Sequence, residues 1–500
     1  MTVAVPESNP TAADVTTTPL TAKPVAQTTP VAVERAVIDA AAAGPVLTFF
    51  ATGVGWLMIT TLLGLIASIK LHSPNFLADL PWLTYGRIAP AYDLALTYGW
   101  ASLSGMGVAI WLMSRLCRVQ IRYPGFLIFG AAFWNLGLLI GILCVLGGKT
   151  TGIEGMEMPR GAVGIMFIGY LLIGLWGAIL YKFRRNVPVY ISVWYLLGAF
   201  FWFPWLFATA HVLISLPQIS GVMQNVVAAW YGQGLTLLWF TAIGLGAAYY
   251  LIPKVINRPI YSYNLASIGF WTFAFFGGLT AMVRLNGGPV PAWLITVSIA
   301  ANLMMLIPIA TVTTNFFFTM RSHTHMIYYS PTIRFTFFGV IAFTLASVVG
   351  LFSSLRSVDR VLHFTQVQAA QQHLVLYAFF SMVMFGAIYY ITPRLVGCEW
   401  LSSTLIKLHF WGSAYGGGMA IAMLAFSGLA AGLSLADPEA TFAQIIQIGE
   451  VYLPGHTIAY FMIALAHLVF GLHFLLMLLR IGQPGGEPTL FGAPVEESHV

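Results

Sequence analysis

The chain has 500 residues, of which 59% are hydrophobic and only 8% are charged, whereas charged residues make up about a quarter of an ordinary soluble domain. This composition excludes a soluble globular protein, and the net charge of +6 gives no indication of nucleic acid binding. The three cysteines, Cys117, Cys144 and Cys398, have no paired spacing and predict neither a disulfide framework nor a zinc site.

The two ends of the chain differ from the apolar region between them. Residues 1–44 are rich in Thr, Pro, Ala and Val without helical periodicity, and this composition is typical of a disordered tail. They do not show the basic and then apolar order of a cleavable signal peptide. The sequence therefore predicts a tail over 1–44, a membrane domain over 45–480 and a short second tail over 481–500.

Twelve stretches of the central region are long enough to cross a bilayer, which takes about 20 mostly apolar residues. Each is continuously apolar instead of alternating, as expected of helices and not of barrel strands. The sequence thus predicts an all-α integral membrane protein, a bundle of about 12 transmembrane helices. The predicted spans are 45–70, 90–114, 125–147, 161–182, 188–216, 223–252, 262–284, 290–319, 333–355, 367–392, 401–434 and 451–479.

Basic residues are distributed unequally between the two sets of loops. Fifteen of the twenty-two Lys and Arg residues fall on the side that holds both ends of the chain. Because cytoplasmic loops carry an excess of Lys and Arg, this distribution places both termini in the cytoplasm of a bacterial-type inner membrane.

Ionisable side chains inside the spans are candidates for function, since they are expensive to bury in lipid. A histidine in a span either hydrogen-bonds to a neighbouring helix or holds a metal or a haem. His467 and His473 do not have the i, i+4 spacing that puts two imidazoles on one helix face, which favours the hydrogen-bonded interpretation. The candidates are Asp93, Arg284, His373, His409, His467 and His473.

Four ordered blocks carry a resemblance to a family. They are "PWLTYGR" at 81–87, "WYGQGLTLLWFTAIGLGAAYYLIPK" at 230–254, "RPIYSYNLASIGFWTF" at 258–273 and "FGAIYYITPRLVG" at 385–397. Together they resemble subunit I of the cbb-type cytochrome c oxidases, the C family of haem-copper oxidases, which is related to nitric oxide reductases. The resemblance implies a twelve-helix subunit of a respiratory membrane assembly.

The resemblance also assigns haem positions. The family holds a low-spin and a high-spin haem on opposite faces of the tenth span through a His-x-His pair, and here that pair is Gln371 and His373. His373 matches the low-spin haem ligand, whereas Gln371 replaces the high-spin ligand. The second low-spin ligand, on the second span, is matched by Tyr92, so the resemblance implies at most one haem.

The copper positions of the family are replaced as well. Its copper histidines are matched by Gln233, Val283 and Arg284, its redox-active tyrosine by Phe343, and a nearby glutamate by Val349. Copper of the kind used in dioxygen chemistry is held by imidazoles. The resemblance therefore implies that this chain holds no copper.

These replacements favour a degenerate subunit I homologue that acts as a membrane partner subunit, in contact with lipid and with other respiratory subunits such as c-type cytochromes. Three alternatives are a single-haem electron-transfer or gas-binding protein that uses His373, an active oxidase or nitric oxide reductase with unusual ligands, and a channel or transporter for a small molecule or proton. The glycine-rich eleventh span is a candidate docking face for a partner.

Overall fold

The computed structural model describes residues 30–185 and 188–482. Residues 1–29 and 483–500, which hold most of the two expected tails, lie outside this range, as do residues 186 and 187. The described residues form helices and no β-strand, as the continuously apolar stretches predict.

Twelve long helices, named α1 to α12, follow the predicted spans in order. In α2, α6 and α10 a π-helical segment interrupts the α-helix. The helices are α1 Pro30–His72, α2 Tyr85–Leu94 with Ala95–Ala101 (π) and Ser102–Cys117, α3 Gly125–Leu146, α4 Arg160–Lys182, α5 Ile191–Leu213, α6 Val222–Gly234 with Leu235–Thr241 (π) and Ala242–Val255, α7 Tyr263–Gly277, α8 Ala292–Met304 with Leu306–Met320, α9 Pro331–Ser353, α10 Val367–His373 with Leu374–Ser381 (π) and Met382–Val396, α11 Ser403–Leu435, and α12 Leu453–Leu478.

Short helices connect some of these elements. Four of them lie in the connections between long helices, and a fifth follows α7. They are Pro81–Leu83, Met326–Tyr329, Arg356–Leu362 and Phe442–Glu450, with Ala281–Leu285 after α7.

Eleven helical stretches in the described part of the chain are long and apolar enough to cross a membrane, and α2 is the twelfth member of the bundle. Its hydropathy is lower because it contains serine, glycine and three charged residues. The serines and glycines from Ser102 to Ser114 are tolerated because every residue of that stretch is buried by neighbouring helices.

The three helices with π segments form the centre of the bundle. In the most apolar stretches of α6 and α10, 89% and 94% of the residues are buried, against 28–50% for the other spans. The indole of Trp100 donates to the Ser381 hydroxyl at 2.8 Å, which joins α2 to α10, and the rings of Phe240 and Phe380 join α6 to α10 at 5.1 Å. The core therefore surrounds the meeting point of these three helices.

Helix α1 begins earlier than the sequence predicts. It starts at Pro30, so residues 30–44, which were expected to belong to a disordered tail, are helical. The reason is packing: Ile38 and Ala42 are buried, and the Asp39 carboxylate pairs with Arg115 at 3.2 Å. The first turns of α1 contain charged residues that pair with a neighbouring helix, so hydropathy did not identify them as part of the span.

The glycines of α11 pack inside the bundle. A Cβ atom added at Gly412 or Gly416 would lie 2.9 Å from side-chain atoms of Ala466 or Ile463 on α12, and one at Gly417 would lie 2.7 Å from the Tyr377 ring. Small residues that let helix backbones approach closely explain this pattern. Most of the glycine-rich face is therefore used within this chain and does not form an open docking face.

Candidate functional site

His373 is the last residue of α10 before its π segment, and both of its ring nitrogens have partners. Its Nδ1 atom lies 2.8 Å from the carbonyl oxygen of Ala369, one turn earlier. A carbonyl can only accept, so Nδ1 carries the proton and Nε2 is an acceptor. The Tyr460 hydroxyl of α12 donates to Nε2 at 2.5 Å.

Tyr92 reaches the same point from α2. Its hydroxyl lies 2.7 Å from the Tyr460 hydroxyl and 3.4 Å from Nε2 of His373. The rings of Tyr92 and His373 are nearly parallel, with centroids 6.4 Å apart. The two residues that the sequence singled out as candidate haem ligands are therefore brought together, with Tyr460 as a third member.

The arrangement of these three side chains can be compared with what a haem needs. A haem iron held by His373 and Tyr92 would need the Nε2 electron pair and the Tyr92 hydroxyl oxygen free to bind it. The candidate ligand atoms of Tyr92 and His373 are only 3.4 Å apart, and the Tyr460 hydroxyl lies within hydrogen-bond distance of both. As arranged here, these residues do not fit a haem, and they satisfy one another without it.

Tyr460 was missed by the sequence analysis, as was its neighbour His456. The two residues are four apart on α12, their rings are 4.7 Å apart, and both are buried. His456 hydrogen-bonds through Nδ1 to Ser68 of α1 at 2.7 Å. The signal that could have found them is this i, i+4 pair of polar aromatic residues at the head of an apolar span.

The residues at the expected copper positions form no imidazole cluster. The Gln233 side-chain amide donates to the Thr280 hydroxyl at 3.3 Å, and the backbone N–H of Val283 donates to Ser298 at 3.1 Å. The Arg284 guanidinium lies near Gly232, where an added Cβ atom would be 3.9 Å from it. An amide, an aliphatic side chain and a cation are poor ligands for copper, so the residues present do not fit that metal.

Gln371 and Phe343 occupy the remaining positions of the expected high-spin haem and its tyrosine. The Gln371 amide nitrogen packs against α9, where it would lie 2.8 Å from a Cβ atom added at Gly350. The Phe343 ring packs on the Phe379 ring with centroids 5.2 Å apart, and both are buried. Aromatic packing therefore connects α9 to α10 at this place.

Three acidic residues, Asp93, Glu154 and Glu157, lie near the N-terminal part of α2. Asp93 is half-buried and forms no hydrogen bond or ion pair with a described residue, and the charges of Glu157 and Glu154 act on it. Glu157, in the loop between α3 and α4, accepts a hydrogen bond from the backbone N–H of Gly155 at 2.8 Å. Burial, with a contribution from Glu154, raises the pKa of Glu157 above its ordinary value.

The remaining histidines of the last three spans are held by neighbouring helices. His467 lies 3.0 Å from the Tyr377 hydroxyl and 2.7 Å from that of Thr61, and His409 lies 2.9 Å from that of Tyr389. His473 accepts from the backbone N–H of Ser402 at 3.3 Å. Among the described residues, no group of three or more His, Cys, Asp or Glu side chains could hold a metal ion. The hydrogen-bonded interpretation fits these three histidines.

A helical membrane bundle whose central helices carry Tyr92, Gln233 and His373 is similar to proteins of one class. The pattern of the family described as "Cytochrome C and Quinol oxidase polypeptide I" matches residues 44–462. The chain therefore belongs to this family, whose members are subunits I of the haem-copper oxidases.

Individual relatives agree with this assignment. The cbb3-type cytochrome c oxidase subunit CcoN1 of Stutzerimonas stutzeri is 25% identical over 394 residues, which cover 76% of this chain and 82% of the relative. A cytochrome c oxidase subunit 1 homolog of Agrobacterium tumefaciens is 27% identical over 379 residues, which cover 72% of this chain and 68% of the relative. A homolog of the same name from Azorhizobium caulinodans is 26% identical, with coverage of 76% and 71%.

The fold is also similar to a solved structure. A chain from a cryo-EM structure of a heme-copper terminal oxidase dimer superposes with a TM-score of 0.66, over 93% of this chain and 88% of the other, at 13% sequence identity. At this identity the match concerns the fold alone. It agrees with the predicted bundle of about twelve helices.

Proposed function

We propose that this chain is a cbb-type cytochrome c oxidase subunit I homologue that has lost dioxygen chemistry and acts as a membrane partner subunit of a respiratory assembly. The observation that carries the proposal is the hydrogen-bonded group of Tyr92, His373 and Tyr460. At the place where the resemblance puts a haem iron, the Tyr460 hydroxyl bonds to both candidate ligands. The polar atoms that would hold an iron are thereby satisfied by one another.

The residues on the other side of α10 support the same conclusion. Gln233 is engaged with Thr280, and Phe343 packs on Phe379 where the family has a redox-active tyrosine. A phenylalanine ring can give up neither a phenolic proton nor the electron that accompanies it. Arg284 adds a positive charge that repels a metal cation.

The partner role is supported by the state of the fold. The side chains at the replaced positions do not disturb the centre of the bundle, where Trp100, Phe379 and Phe380 are fully buried. A well-packed membrane fold that no longer holds its cofactors still offers surfaces to other chains. The relatives named above are themselves described as oxidase subunits, which favours an assembly with further respiratory subunits such as c-type cytochromes.

A second candidate function, a protein with one haem on His373, is favoured by one observation. The hydrogen bond from Nδ1 to the Ala369 carbonyl fixes the tautomer in which Nε2 has a free electron pair, as in metal-bound histidines. Rotation of the Tyr460 side chain would make Nε2 accessible. In this case the chain would hold at most one haem, because Gln371 replaces the other ligand.

Cofactor stoichiometry distinguishes the two candidates. The full-length protein is purified in a mild detergent and its haem is measured by the pyridine haemochrome spectrum, with copper measured after washing with chelator. The partner role predicts substoichiometric haem and copper in the wild type. One haem per chain that disappears in His373→Ala indicates the second candidate.

Co-purification tests the assembly itself. Membranes are solubilised gently, and the chains that accompany the protein are identified by mass spectrometry, with the unrelated membrane proteins of the same preparation as background. Recovery of further respiratory subunits in constant ratio supports the proposal. A monomer that holds two haems and copper and reduces dioxygen by itself would overturn it.

A further inference from the structure

A small cavity of about 190 Å³ lies at the end of the bundle that the basic loops assign to the cytoplasm. It is enclosed by the first described turns of α1 and by the last turns of α2 and α6. Charged and apolar side chains alternate around it. The lining residues are Val31, Glu34, Arg35, Ile38, Arg115, Leu116, Arg118, Tyr250 and Lys254.

Some of the charges in this cavity are already compensated. The Arg115 guanidinium pairs with the Asp39 carboxylate at 3.2 Å and also donates to the carbonyl oxygen of Arg35 at 3.1 Å. Glu34 lies 3.9 Å from Arg118 and 3.0 Å from Arg185. These ion pairs hold the walls of the cavity together, and they engage the carboxylates of both Asp39 and Glu34.

Two cations are not compensated. The Lys254 ammonium and the Arg35 guanidinium form no side-chain hydrogen bond or ion pair with any residue that the structure describes. Moreover, the positive charges of Arg35, Arg115 and Arg394 all act on Lys254. Like charges at this proximity repel one another, and both side chains are exposed, so a ligand can reach them.

We propose that this cavity binds a phosphate-bearing anion. A phosphate group offers several oxygens to the ammonium of Lys254 and the guanidinium of Arg35, and its negative charge removes the repulsion between them. The C-terminal ends of α2 and α6 carry partial negative charge, but four lining cations outweigh it. One carboxylate, Glu34, lines the same cavity and is paired with arginines.

The size and the apolar part of the lining define the ligand further. A water molecule takes up about 30 Å³ in the liquid, so the cavity has room for a phosphate group and a few neighbouring atoms. Val31, Ile38 and Leu116 supply an apolar wall beside the cations. Basic pockets between helices on the cytoplasmic side are suited to anionic phospholipid headgroups, and a soluble phosphate compound has the same chemistry.

The test uses the full-length protein in detergent, stripped of lipid by extensive washing. Thermal unfolding is followed while phosphatidylglycerol, phosphatidylcholine or inorganic phosphate is added in turn. Phosphatidylglycerol is expected to raise the unfolding midpoint in a saturable way, since a ligand that binds only the folded state stabilises it. Phosphatidylcholine, which has no net charge, is expected to have no such effect.

Two variants assign the effect to the cavity. The double variant Arg35→Gln/Lys254→Gln removes the uncompensated cations and is expected to weaken the apparent affinity roughly thirtyfold, at about a factor of five per cation. The control variant Arg258→Gln/Arg321→Gln removes two exposed cations that lie outside the cavity, from loops of the same side. It is expected to bind as the wild type does. The unfolding midpoint without lipid shows whether each variant folds.

The outcomes separate the possible sources of the anion. Saturable binding of phosphatidylglycerol that only the cavity variant loses supports a lipid site. Stabilisation by inorganic phosphate alone, lost in the same variant, supports the anion site with a soluble ligand. Equal weakening in both variants, or wild-type affinity in the cavity variant, would overturn the proposal.

Discussion

The hydroxyl groups of Tyr92 and Tyr460 lie 2.7 Å apart and join α2 to α12, two helices from opposite ends of the chain. The same Tyr460 hydroxyl donates to His373 of α10. Three helices are thus connected through one oxygen atom, in a place where the family resemblance puts a cofactor. We therefore expect the stability of this fold to depend on the Tyr460 hydroxyl.

Replacement of Tyr460 by phenylalanine tests this dependence. The variant keeps the ring but removes the hydroxyl, so Nε2 of His373 loses its donor at 2.5 Å and keeps only the distant Tyr92 hydroxyl at 3.4 Å. An unsatisfied buried polar group costs about 1–3 kcal/mol, and the free energy of unfolding is expected to fall by that amount. Thermal or denaturant unfolding of the purified protein measures it.

The control for this prediction is Tyr415→Phe. The Tyr415 ring is 61% exposed on α11 and stacks on Trp411, and its hydroxyl has no hydrogen-bond partner among the described residues. Its replacement is expected to leave stability unchanged. Equal effects of the two substitutions would contradict a special role for Tyr460.

Two glycines of α1 are expected to respond oppositely to alanine. A Cβ atom at Gly64 would lie 2.6 Å from the Tyr460 ring and 2.7 Å from the Tyr92 ring, so Gly64→Ala should destabilise the fold by about 1–3 kcal/mol through overpacking. A Cβ atom added at Gly55 would meet no neighbouring atom within 4 Å, so alanine there should stabilise the helix by roughly 0.5–1 kcal/mol. Unfolding midpoints of the two variants check the signs. A neutral Gly64→Ala would show that the two rings move aside.

The buried Glu157 side chain predicts a pH dependence. Burial raises the pKa of Glu157 above its ordinary value near 4.5, although the hydrogen bond from Gly155 opposes this. The folded state therefore favours the neutral form, and the associated stability is present below pH 4.5 and lost as the pH rises through the raised pKa. Glu157→Gln removes this loss, so the variant should gain stability over the wild type at pH 7 but not at pH 4.

Unfolding midpoints at both pH values measure the effect. The control Asp79→Asn changes an exposed carboxylate of the loop after α1 and should shift the midpoint equally at the two pH values. The prediction is contradicted if the unfolding midpoints of Glu157→Gln and wild type differ by the same amount at pH 4 and at pH 7.

The orientation of the chain is the fourth prediction. Fifteen of the twenty-two basic residues lie on the side of both termini, so reporters fused to either end are expected to be active in the cytoplasm. A reporter that is active only in the periplasm, fused after α3, is the positive control, because an odd number of spans from a cytoplasmic start places that position outside. A carboxyl terminus that lies outside would reverse the orientation.

The bundle was predictable from sequence because hydropathy reports the length of apolar helices directly. The predicted span 125–147 is helix Gly125–Leu146 in the structure, and 161–182 is Arg160–Lys182. The start of α1 was not predictable in this way. Its first turns carry the carboxylates of Glu34 and Asp39, whose charges are compensated only by arginines outside α1.

The candidate site was predictable in part. His373 and Tyr92 were found through the resemblance, and the structure places them side by side. Tyr460 was not found, because a single tyrosine in an apolar span is most often a packing residue and the sequence does not show which helix it faces. Long-range contacts such as that between Tyr460 and His373 arise only when the bundle is assembled.

The π segments of α2, α6 and α10 recur at every fourth helix, so the chain divides into three successive units of four helices, each with an irregular second member. The three units meet at one axis through contacts such as Trp100 with Ser381 and Phe240 with Phe380. The position of the irregular helix therefore repeats three times along the chain. Removal of one unit would take away the contacts that its irregular helix makes with the others, so the repeat constrains how such a chain evolves.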